Sequence, residues 1–68
     1  MRKGDEVIWT RGAKGLTGTV TDHEAFPGLV MISTKHGVFA ESPLNLICVQ
    51  EADPKLVMKL KEWQEVNA

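Results

Sequence analysis

Tyrosine is absent from this chain of 68 residues, cysteine occurs once, and aromatic residues make up only 6% of it. Each shortage removes a class of protein. Cys48 has no second cysteine to pair with, so no internal disulfide staples the chain, and such sparing use suits a reducing compartment. No apolar run approaches the roughly 18 residues that a spanning helix needs. Met1-Arg2-Lys3-Gly4-Asp5-Glu6 starts basic but turns acidic without the apolar centre of a signal peptide. The expectation is a cytoplasmic protein that uses no membrane. A charge excess is missing as well. The formal net charge is −1, and over residues 1–49 Arg2, Lys3, Arg11, Lys14 and Lys35 balance Asp5, Glu6, Asp22, Glu24 and Glu41. A dedicated nucleic-acid binder draws its affinity from a basic surplus, which this chain lacks. One domain of this size buries only about 60% of the surface its unfolded chain exposes. Without disulfides it needs a closed fold, a partner or a second copy of itself.

Ligands and nucleophiles are scarce too. His23, His36 and Cys48 stand at separations that match no common zinc spacing, and a structural site wants four ligands. Cys48 lies inside the apolar run Leu46-Ile47-Cys48-Val49 and reads as a core thiol. Asp22 and Glu24 share a polar stretch and read as solvated carboxylates, with nothing apolar around them to tune an acid and a base. No catalytic residue, metal or other cofactor is assigned, and the chain is expected not to be an enzyme.

What the sequence does contain is glycine among alternating residues. Gly12, Gly15 and Gly18 surround Lys14, a composition that suggests a phosphate cradle. A P-loop, however, requires G-x-x-x-x-G-K-[ST] leading into a helix. Here Lys14 is followed by glycine and then by the β-branched Thr17-Gly18-Thr19-Val20, so the segment predicts a turn between strands. Strands are expected at Glu6–Thr10, Leu16–Thr21, Leu29–Thr34, Val38–Glu41 and Leu46–Val49. Val7 and Trp9 would share one strand face, and Gly18 implies a bulge or a close backbone approach. Asp22–Gly28 reads as a loop closed by Pro27-Gly28, and Lys35-His36-Gly37 as a tight turn. Ser42-Pro43-Leu44-Asn45 reads as one helical turn capped by Ser42. Five strands in a meander, with a helical turn before the last, is the plan of an SH3-like barrel over residues 1–49.

A connector at 50–52 leads to a helix over 53–66, with Asp53 as cap and Pro54 at its first position. Leu56, Leu60 and Trp63 form one stripe, with Val57 at its edge. The stripe packs on the barrel or joins two copies in a homodimer, and both alternatives stand.

Gly4-Asp5-x-Val7-x-Trp9, Gly12, Lys14-Gly15-x-x-Gly18-x-Val20, Val30-x-Ile32 and Ser42-Pro43-Leu44-Asn45-Leu46 together resemble the KOW-type, SH3-like small barrels over about residues 4–49. The resemblance implies binding to RNA, ribosomes or proteins of the transcription apparatus. Plasmid-type dihydrofolate reductases are similar small barrels that assemble as tetramers. Glu24-Ala25-Phe26-Pro27-Gly28-x-Val30 looks like the segment ahead of their signature, but the glutamine and tyrosine of that signature are missing here. The expected function is therefore an adaptor or regulatory module that docks on a protein through Arg11, Lys14, Phe26, Lys35 and His36. Direct binding of RNA or DNA through the same loops is the alternative, and an oligomeric reductase is the third reading.

Overall fold

Strands form between the glycine and proline turns, and capping chemistry fixes the helical segments. The computed structural model describes the backbone of residues 1–67 and the side chains of residues 1–21 and 27–66. The strands are β1 (Glu6–Trp9), β2 (Thr17–Phe26), β3 (Leu29–Thr34), β4 (Gly37–Glu41) and β5 (Leu46–Cys48). A 3-10 turn, Pro43–Asn45, separates β4 from β5, and α1 (Pro54–Asn67) follows β5. The fold is mainly β with one C-terminal helix. The strands form a single antiparallel sheet in the order β4-β3-β2-β1-β5, so β4 and β5 are its edges.

Both predicted caps are present. The Ser42 hydroxyl accepts from the Leu44 N–H at 3.2 Å, and the Asp53 carboxylate accepts from the Lys55 N–H at 2.9 Å. Each satisfies a donor that the first turn leaves open. The second strand is longer than its composition suggests. β2 continues through the expected Asp22–Gly28 loop as far as Phe26, with register shifts between Val20 and Asp22 and between Asp22 and Phe26. Extra residues are taken up as bulges, which bend a strand instead of ending it. Only the turn at Pro27-Gly28 remains of that loop. His23, Asp22 and Glu24 have side chains outside the described residues.

The core lies on one face of the curved sheet. Val7, Trp9, Leu16, Val20, Val30, Ile32 and Leu46 form one buried cluster with Met1 packed against it. Gly18 allows this layer to close, because a Cβ there would run into Ile32 and the Ser33 carbonyl. Alternation turns Ile8 to the opposite face, yet Ile8 is fully buried. α1 packs on β1 and buries its own Val57 and Leu60. Cys48 does not join the core: it is half-buried, and its thiol donates to the Gln50 side-chain oxygen at 3.0 Å. Among the described residues, no helix is long and apolar enough to cross a membrane.

Candidate binding surface

An antiparallel meander places alternate connections at the same end of a sheet. The pairs Ile8 with Thr17, Thr19 with Ser33 and Thr34 with Gly37 put the β1–β2 loop and the β3–β4 turn at one end. Arg11, Lys14, Lys35 and His36 all sit there, and all are exposed. Phe26, expected to act with them, ends β2 beside Pro27-Gly28 at the other end of the sheet. Its side chain lies outside the described residues.

Within the loop, the cations have different surroundings. The Gly15 N–H donates to the Trp9 carbonyl at 2.9 Å, and the Leu16 N–H donates to that of Ala13 at 2.9 Å, which folds the loop back on β1. Gly15 has a φ of +88°, and a Cβ there would collide with the Leu60 carbonyl and Gln64 of α1. The loop is thus the seat of the helix. Lys14 lies over the Trp63 ring with its ammonium 4.4 Å from the centroid, a cation–π contact within the chain. Trp63 is still 47% exposed and Leu56, two turns earlier in α1, is exposed too, whereas Leu60 belongs to the interior. The turn across the end is ordered by Thr34. Its hydroxyl accepts from the His36 N–H at 3.0 Å and donates to the Gly37 carbonyl at 3.0 Å. Lys35 and His36 are held at the start of β4 by this turn.

β4 adds a feature that the sequence reading missed. Val38 is 57% exposed, Phe39 43%, and Ala40 is exposed between them and Glu41. Strands buried on one face alternate. An unbroken Val38-Phe39-Ala40 run is the signal that could have marked β4 as different, although the run alone does not separate a strand buried on both faces from one exposed on both. Being an edge, β4 presents this apolar run together with backbone groups that no other strand of the sheet pairs.

Where β4 ends, its last residue is hydrogen-bonded to a residue of β1. The Trp9 indole N–H donates to Glu41 Oε2 at 2.9 Å. Glu41 Oε1 accepts from the Ser42 N–H at 2.8 Å and from the Asn45 amide at 3.0 Å. The bonds from Asn45 and Trp9, with a further one from the Ser42 N–H, hold the Glu41 carboxyl below the usual carboxylate range against the opposing effect of burial. Beside this knot, Trp9, Ala13, Leu16, Phe39, Ala40 and Glu41 line a cleft of about 170 Å³ between the β1–β2 loop and β4. Its walls are mostly apolar and its floor is the buried Trp9. Among the described residues, no group of three or more His, Cys, Asp or Glu is placed to hold a metal ion.

No family model matches the chain, and neither a curated protein nor a solved structure matches it. Function is therefore read from the chain's own geometry.

Proposed function

We propose that the chain is a non-catalytic binding module, an SH3-like barrel of the KOW-like kind, that docks on a protein partner along β4. The barrel reading is supported by the strand order and by Glu41, whose bonds to Trp9 and Asn45 draw the end of β4 toward β1 and β5. The docking reading rests on one observation above all: β4 is an edge strand with Val38, Phe39 and Ala40 exposed. An extended segment of a partner would add to that edge by backbone hydrogen bonds, and alternate side chains would find Phe39 and the Trp9 cleft. Lys35 and His36 at the start of the strand, with Arg11 at the same end of the sheet, favour acidic residues in that segment. Such charge sets orientation and encounter rate, while the aromatic surface supplies buried area. Lys14, engaged with Trp63, contributes less than its position in the sequence suggests.

The test is affinity capture from native lysate with and without nuclease, using the intact chain and a Phe39→Asp, Lys35→Glu double variant. The reading expects a discrete protein that survives nuclease and is lost from the double variant. Equal capture by both baits overturns the β4 assignment. Recovery of nucleic acid alone, lost on nuclease treatment, favours the RNA- or DNA-binding alternative.

A further inference from the structure

α1 buries only part of its apolar surface in its own fold. Val57 and Leu60 face the sheet, but Leu56, Trp63 and Val66 remain exposed, Val66 at 82%. At helical spacing these three fall on one stripe, with Lys59 between them and Lys55 and Glu62 along its outer flank. Lys59, Glu62, Trp63 and Val66 line a shallow groove of about 420 Å³ on this side. At the other end of the stripe, Leu56 borders a second cleft of about 390 Å³ that it shares with Met1, Leu46 and Ile47.

The order of charge along the stripe says what covers it. A helix favours acidic residues in its first turn and basic ones in its last. α1 has neither. Its exposed flank runs instead from Lys55 and Lys59 to Glu62. That sequence gains nothing from the helix dipole, but it is complementary to itself when reversed. We infer that a second copy of the chain packs its α1 antiparallel on this stripe as a two-fold dimer. Leu56 then meets Val66 of the second copy, and Lys59 meets Glu62 and the edge of Trp63 across the axis. The C-terminal end of the second helix covers the cleft beside Leu56. Each contact occurs twice, as a two-fold axis requires. A helix of 14 residues is about 21 Å long, so the contact is at the small end of specific interfaces and the dimer is concentration-dependent. Leu60 takes no part, because it is already buried within the chain.

The experiment is sedimentation equilibrium of the intact chain from micromolar to about 1 mM, with Lys59→Glu and Glu62→Lys as separate variants. Wild type is expected to move from monomer to dimer over this range. Each variant alone places like charges across the axis and stays monomeric. An equimolar mixture of the two variants recovers the dimer, because each then opposes the other's new charge. Both positions are exposed, and far-UV circular dichroism verifies that both variants keep their helix. A wild type that is monomeric at every concentration overturns the inference. So does a dimer that both variants form as readily as wild type, or a mixture that remains monomeric.

Discussion

Glu41 and Gly15 show how much a single residue holds in a chain this small. Glu41 accepts from Trp9, Ser42 and Asn45, and so joins the end of β4 to β1 and to the turn before β5. Its carboxyl is held below the ordinary value near 4.3, so its stabilising contribution is fully present above that pH. The contribution is lost as pH falls through the lowered folded value. Glu41→Gln should therefore cost about 1–2 kcal/mol at pH 7 and almost nothing once the wild-type carboxyl is protonated. Paired denaturant titrations at neutral and strongly acid pH measure this, and a deficit that persists unchanged in acid would refute it. Gly15 and Gly12 both have positive φ, at +88° and +70°, but only at Gly15 would a Cβ meet the helix. Gly12→Ala should cost about 1–2 kcal/mol for backbone conformation alone. Gly15→Ala should cost about 2–4 kcal/mol, because helix displacement is added. Equal losses in chemical denaturation would mean that the loop is not the seat of α1.

Elements were legible in the sequence to the extent that their causes are local. Ser42-Pro43 and Asp53-Pro54 start their helical segments through side-chain oxygens a few atoms from the donors they satisfy, and both starts can be read from the residues. The extent of β2 cannot be read that way. Its register shifts are set by pairing with β3, and polar Asp22-His23-Glu24 ahead of Pro27-Gly28 reads as a loop. The phase of α1 is a similar case. Leu56, Leu60 and Trp63 fit the helical period, and so do Val57 and Leu60. The packing of α1 on β1 puts the second pair inside. Leu60→Ala should accordingly cost about 2–5 kcal/mol, whereas Leu56→Ala should lie within about 1 kcal/mol of wild type. Thermal melts of dilute protein separate the two. A Leu56→Ala loss as large as that of Leu60→Ala would place the buried stripe elsewhere.

For the whole molecule, the turns that carry the loop cations were visible in advance, but their convergence at one end and the edge strand were not. Arg11, Lys14, Lys35 and His36 lie in turns that glycine and polar residues announce, and an antiparallel meander brings those turns to one end. That β4 is an edge depends on the order of every other strand, and no property of Val38-Phe39-Ala40 by itself reveals it. Phe26 went to the opposite end for the same reason: connections alternate ends, and its turn is the odd one out. Among the described residues of a chain with 43% hydrophobic residues, apolar side chains of β4 and of the outer stripe of α1 stay exposed. They lie on different elements and are assigned to different partners. Trp63→Ala should weaken self-association while leaving capture of a β4 partner intact, and Phe39→Asp should do the reverse. Sedimentation and capture run on the same two variants check that independence.

The central claim, that a partner strand adds to β4, is tested most directly by amide hydrogen exchange of the chain with and without its captured partner. The account predicts that residues 37–41 gain protection on binding, with smaller gains in the β1–β2 loop, and that the Pro27-Gly28 turn is unchanged. Protection confined to the Pro27-Gly28 end, or to α1, with β4 exchanging as fast as in the free chain, would contradict it.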